Sequence, residues 1–185
     1  MSNQIPQNIG LIGLGAMGAG MASSLRRAGY NVHVYDIRPE AVSSFTADGG
    51  VACDSAESVA DACPIVISVL VNADQTEQLL FGAGGMAARM QPDSTFVMCS
   101  TVDPNWSVNL EQRLEAMGIG YLDAPISGGA AKAASGEMTM MTAGKPALYA
   151  RLNGVLQAMA AKLYRLGDHA GNRSKLKLTS FAFCA

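Results

Sequence analysis

Gly13-Leu14-Gly15-Ala16-Met17-Gly18 is a G-x-G-x-x-G run, and its surroundings decide how the chain folds. Upstream, Ile9 to Leu14 is a short apolar run that breaks into glycines, the pattern of a buried strand. Downstream, Ala16 to Arg27 carries apolar residues at helical spacing. Asn31 to Tyr35 (NVHVY) reads as a second strand and closes on Asp36, 18 residues past Gly18. A strand, a glycine turn, a helix and an acidic residue ending the next strand together make the setting a dinucleotide-binding turn requires. In that setting Gly13 makes the tight turn, Gly15 lets the backbone approach a pyrophosphate, and Gly18 lets helix pack on strand. Leu14, Ala16 and Met17 supply the intervening backbone. The helix start offers free N–H groups and a positive dipole end to phosphate. The alternative is a glycine-rich turn with no ligand.

Asp36 bears on which dinucleotide is expected. A carboxylate there accepts hydrogen bonds from both ribose hydroxyls and repels a 2′-phosphate, which favours NAD over NADP. Arg38 pulls the other way, because an arginine can pair with that phosphate. It also reads as a solvated surface residue.

Outward from the motif the pattern repeats. Helical stretches are expected at Pro39–Asp48, Ser55–Ala62, Ala73–Phe81, Pro104–Met117 and Ala147–Met159. Strands are expected at Pro64–Val71, Thr95–Cys99, Gly120–Ala124, Glu137–Ala143 and Ala161–Arg165. Alternation of this kind implies an α/β fold, a Rossmann-type doubly wound, mostly parallel sheet with helices on both faces. The near-continuous apolar strands agree, since such strands are buried on both sides. The expected division is an NAD-binding domain over 1–170 and the start of a further helix over 171–185.

Composition narrows the function classes. The 185 residues are 49% hydrophobic, enough for a sizeable core. Net charge is −2, which gives no reason to expect nucleic acid. Residues 1–144 hold 6 basic against 14 acidic side chains, and 145–185 hold 7 against 1. Cys53, Cys63, Cys99 and Cys184 show no CxxC spacing, and no histidine cluster accompanies them, so no metal site is expected. No apolar run approaches the roughly 18 residues of a membrane span. Met1 to Asn8 lacks the basic and apolar regions of a leader. These features fit a reduced, cytoplasmic protein.

The stretch Gly10 to Gly18 with Met21-Ala22, the run Asp123-Ala124-Pro125-Ile126-Ser127-Gly128-Gly129, and the closing Gly171-Asn172-Arg173-Ser174-Lys175-Leu176-Lys177 together carry a family pattern. The chain resembles the 3-hydroxyisobutyrate dehydrogenase family of β-hydroxy acid dehydrogenases. Through Leu122 to Thr139 it is most like the L-threonate dehydrogenase branch. The resemblance implies an NAD-dependent oxidoreductase that oxidises a small hydroxy acid by hydride transfer, and it leaves room for a homo-oligomer. It makes Ser127, Gly128 and Gly129 a substrate-carboxylate clamp, a hydroxyl and two bare backbone units that present donors to an anion. It places Thr101 near the nicotinamide and ribose, and Val71 and Asn72 beside the cofactor. Asn72 or Thr101 could instead cap the following helix, and Ser127-Gly128-Gly129 could be a plain turn.

The same resemblance places the catalytic lysine at Lys177. An amine beside the hydride-transfer centre takes the hydroxyl proton if burial and the cofactor's positive ring depress its pKa. The plain alternative is a surface lysine. Neither His33 nor His169 is assigned to catalysis. The sequence departs from the family at Arg173, where glycine is usual, and at Ser180 and Phe181, where a polar partner of the lysine is usual. The resemblance fails after Leu178, and the expectation is a chain cut short of the family's helical domain. A second reading follows from that expectation: an NAD-binding fragment with impaired turnover.

Overall fold

The computed structural model describes residues 7–47 and 49–171. Six strands form a parallel sheet: β1 (Asn8–Ile12), β2 (Asn31–Tyr35), β3 (Val51–Ala52), β4 (Ile65–Ser68), β5 (Thr95–Met98) and β6 (Gly120–Asp123), in the order β3-β2-β1-β4-β5-β6. The connecting helices are α1 (Ala16–Arg27), α2 (Pro39–Ala47), α3 (Ala56–Ala62), α4 (Ala73–Phe81) and α5 (Pro104–Ala116). The expected Rossmann-type fold is the observed one.

The starts of the helices follow from local chemistry. Ser55 caps α3 by accepting a hydrogen bond from the Ser58 N–H. Asp103 caps α5 by accepting from the Asn105 and Trp106 N–H groups, and Pro104 follows at the first turn, where its missing donor costs nothing. All four residues of β4 and of β5 are buried, because helices cover both faces of the sheet.

Two apolar layers fill those faces. One joins Ile9, Leu11, Ile65, Ile67 and Val97 to Met21 and Leu25 of α1. The other joins Ile12, Val66, Phe96 and Tyr121 to Val59 of α3, Leu80 of α4 and Leu110 of α5.

A second sheet departs from the expected single one. It contains β7 (Ile126–Ser127), β8 (Met138–Thr142) and β9 (Ala160–Arg165), with β7–β8 antiparallel and β8–β9 parallel. Helix α6 (Gly129–Ser135) lies between β7 and β8, and α7 (Pro146–Met159) between β8 and β9. The strands expected at 137–143 and 161–165 are therefore present, but they leave the main sheet. Asp123 and Ala143 pair across the join through Asp123 N–H to Ala143 O at 3.0 Å and Ala143 N–H to Asp123 O at 2.8 Å. Expected strands also end early. The first stops at Ile12 because Gly13 turns the chain at φ +94°, and the third stops at Ser68.

Candidate functional site

The strand ends are level across the sheet. Ile12 pairs with Tyr35 and Ser68, Ser68 with Met98, and Met98 with Asp123. The residues singled out in sequence from the first six strands therefore emerge along one edge, at the carboxyl ends of parallel strands. The order reverses between β1 and β4, the place where open α/β sheets hold ligands.

The three glycines of the turn differ in what surrounds them. Gly13 has a positive φ, donates its N–H to Tyr35 O at 3.0 Å, and a Cβ on it would meet Val69 O at 2.5 Å. A Cβ on Gly18 would lie 1.8 Å from Gly13 O, so the first turn of α1 sits directly on the bend. Gly15 is under neither constraint. Its φ of −64° suits any residue, and a Cβ there would have nothing within 4 Å. The fold itself has no use for glycine at this position; the bare backbone leaves an open cradle at the start of α1.

Asp36 leaves β2 and turns back onto this loop. One carboxylate oxygen accepts the Leu14 N–H at 2.6 Å. Arg38 donates to the same carboxylate through its backbone N–H at 2.9 Å, Nε at 3.0 Å and Nη2 at 3.1 Å. Burial pushes the carboxyl upward, but the hydrogen bonds from Arg38 and Leu14 outweigh it and hold Asp36 below its ordinary range. Arg38 is thus half-exposed and fastened to Asp36, where the sequence left it between surface residue and phosphate partner. Beside the pair lies a cavity of about 390 Å³ lined by Tyr35, Asp36, Ile37, Val42, Ala52 and Cys53 among others. Ile37 is 85% exposed at its rim, and Val71 is 80% exposed after β4.

Asn72 caps α4, accepting the Gln75 N–H at 2.9 Å, while Gln75 Oε1 accepts the Val71 N–H at 3.0 Å. The plain capping role read for Asn72 is therefore present. For α5 the N-cap is Asp103, and Thr101 stands exposed two residues before it. The neighbouring Ser100 hydroxyl ties this loop to the β4 loop by donating to Leu70 O at 2.7 Å.

Ser127, Gly128 and Gly129 are exposed where β7 passes into α6. Gly128 has φ +145° and Gly129 φ +77°, conformations that side chains rarely adopt. The three residues form the junction between strand and helix. The helix it opens escaped the sequence reading, although Ala130 to Ala134 are strong helix formers and Gly136 ends them in the left-handed conformation.

Sequence reasoning also passed over Glu111, a buried carboxylate on α5 that accepts the Ala170 N–H. Lys177 lies outside the described residues, as do Arg173, Ser180 and Phe181. His33 sits in β2 with its ring nitrogens 3.1 Å from Asn31 Nδ2 and 3.9 Å from Cys53 Sγ, and burial lowers its pKa.

Residues 8–167 match the family model described as the NAD binding domain of 6-phosphogluconate dehydrogenase. The chain belongs to this NAD-binding family. An L-threonate dehydrogenase of Cupriavidus necator is 52% identical over 172 residues, 93% of this chain and 58% of that protein. A 3-hydroxyisobutyrate dehydrogenase of Pseudomonas aeruginosa is 34% identical over 170 residues, 91% of this chain and 57% of that protein. Among solved structures, a 3-hydroxyisobutyrate dehydrogenase from Salmonella typhimurium superposes with a TM-score of 0.89 at 38% identity, covering 94% of this chain and 61% of that one. The family resemblance read from the sequence, including its L-threonate dehydrogenase branch, is met by these relatives. The chain spans somewhat over half the length of the curated relatives it matches. In this NAD-binding domain the open space at Gly15, at the start of α1, fits a dinucleotide diphosphate. Among the described residues no helix is long and apolar enough to cross a membrane, and no cluster of His, Cys, Asp and Glu could hold a metal ion.

Proposed function

We propose that this chain is the nucleotide-binding part of an NAD-dependent dehydrogenase acting on a short hydroxy acid of the 3-hydroxyisobutyrate or L-threonate type. The observation that carries the reading is Gly15, a glycine that neither backbone conformation nor packing requires. The names borne by the relatives support the substrate class.

In this reading residues 1–170 form the NAD-binding domain, and 171–185 begin the next element. The backbone from Gly13 to Gly18 holds the diphosphate, with Leu14, Ala16 and Met17 shaping the cradle. Asp36 takes the adenosine ribose hydroxyls and disfavours a 2′-phosphate, so NAD is preferred to NADP. Val71, Asn72 and Thr101 border the nicotinamide side. Ser127, Gly128 and Gly129 grip the substrate carboxylate. NAD, when bound, supplies the hydride acceptor. Lys177 would take the O–H proton that the substrate alcohol gives up as it is oxidised to a carbonyl.

A panel of short hydroxy acids, with NAD and with NADP, tests this through the absorbance of reduced nicotinamide. The expected result is reduction with a hydroxy acid and NAD, lost in Lys177→Ala while NAD affinity stays unchanged. Failure of every hydroxy acid to reduce NAD would refute it, and so would full turnover in Lys177→Ala.

A further inference from the structure

Two buried carboxylates lie outside the cofactor cradle, and both face one short turn. Glu111 of α5 is 5% exposed, and both of its oxygens accept the Ala170 N–H at 3.2 Å. Asp123, at the end of β6, is fully buried and accepts the Gly171 N–H at 3.4 Å. The turn is fixed in three further ways. The Ala170 methyl is buried in the apolar layer that contains Leu110 and Tyr121. Gly171 takes φ +82°, and a Cβ there would meet Pro104 O and Val108 Cγ2, both at 2.8 Å. His169 Nδ1 stands 3.7 Å from Glu111 Oε2 on the outer side.

Burying a carboxylate is costly unless its oxygens find donors, and backbone N–H groups of one segment are among the donors to both. That segment is where the chain leaves the second sheet and comes back against α5 and the carboxyl end of β6. Asp123 is also the residue whose backbone joins the two sheets through Ala143. The turn is therefore held at the edge where the strand ends carry the candidate site. Lys177 follows Gly171 by six residues, a span of at most about 20 Å even when extended.

We propose that Glu111 and Asp123 are positioning residues. They anchor the turn at Ala170 and Gly171 and so set where the segment bearing Lys177 starts relative to bound dinucleotide. This rests on the assignment of Lys177 under the proposed function. The two carboxylates act through the turn.

The full chain tests this with two readouts that need no turnover: amide hydrogen exchange at Ala170 and Gly171, and acylation of Lys177 by an amine reagent with and without NAD. In the parent, NAD slows acylation of Lys177. In Glu111→Ala, the Ala170 amide exchanges about tenfold faster, as loss of a charge-assisted hydrogen bond implies. In that variant NAD affinity stays within about twofold of the parent and NAD no longer shields Lys177, because the cradle at Gly15 is untouched. Glu111→Gln keeps the shape and one acceptor oxygen, so it keeps the fold and restores both protection and shielding. Asp123→Asn is expected to loosen the Gly171 amide without exposing Ala170.

Equal exchange in parent and Glu111→Ala would overturn the anchor. Shielding of Lys177 that persists in Glu111→Ala would overturn positioning alone and leave the lysine assignment standing. Bound NAD that fails to shield Lys177 in the parent would overturn that assignment and positioning with it.

Discussion

Three glycines in one six-residue run carry different burdens, and substitution separates them. At Gly18 a methyl group meets Gly13 O at 1.8 Å, so Gly18→Ala must push α1 off the bend. We expect it to cost about 1–3 kcal/mol, the range for overpacking, read as a lower denaturant midpoint. Gly15→Ala meets nothing within 4 Å, and we expect it to cost less than about 1 kcal/mol. Comparable destabilisation by the two variants would contradict this reading of the turn.

Asp36 and Glu111 titrate in opposite directions. Asp36 is held below its ordinary value of 3.8, so its contribution to stability is present above that value and is lost as pH falls through the depressed one. Glu111 is raised above its ordinary 4.5, burial being the main cause against the Ala170 N–H, with Glu115 adding to it and His169 and Lys145 opposing. The folded state then binds a proton that the unfolded state has released. As pH falls from the raised value towards 4.5, the parent gains stability relative to Glu111→Gln. Denaturant titrations of the two proteins at stepped pH check the sign. A relative loss for the parent over that window would show that Glu111 is not burdened by burial.

At the scale of elements, the main sheet was legible because its strands are apolar runs of four or five residues bounded by turn residues, and its helices have clear starts. The helices expected from Ser55 and from Pro104 begin there, with Ser55 and Asp103 as their caps. What escaped was short or depended on contacts. Strand β3 is two exposed residues, Val51-Ala52, with no periodicity to read. Strand β7 is two residues at the end of a motif that draws attention to Ser127-Gly128-Gly129. The departure of β8 and β9 from the main sheet is set by the Asp123–Ala143 pairing, which local pattern does not encode. Helix α6 rests on the alanines from Ala130 to Ala134 and ends at Gly136. Its packing on α1 depends on Gly20, where a Cβ would meet Ala134 N at 2.7 Å and Ala133 Cβ at 2.9 Å. Gly20→Val should therefore separate the two helices and lower the melting temperature by several degrees, more than an exposed Gly29→Ala would through its left-handed strain. An unchanged melting temperature for Gly20→Val would mean that α6 is not seated on α1.

Across the whole molecule, the bend itself demands glycine at Gly13 and Gly18, which is why the turn was legible in sequence. Gly15 meets no such demand, and Asp36 accepts the Leu14 N–H of the same turn. Val71, Asn72, Thr101 and the Ser127–Gly129 junction came from family resemblance, and of these Asn72 carries a structural duty as the cap of α4. The bidentate Arg38–Asp36 pair was beyond sequence reading, because two residues of separation do not fix where an arginine turns. The pair makes the central claim sharper, since the carboxylate that should take ribose hydroxyls is already ordered by Arg38 and Leu14.

That claim is that the turn from Gly13 to Gly18 holds a dinucleotide diphosphate with Asp36 on the ribose. Calorimetric titration of the parent, Gly15→Val and Asp36→Ala with NAD and NADP measures it directly. The account predicts that the parent binds NAD more tightly than NADP, that Asp36→Ala narrows the gap, and that Gly15→Val keeps its fold while losing both ligands. Retained NAD binding by a folded Gly15→Val, or NADP bound more tightly than NAD by the parent, would contradict it.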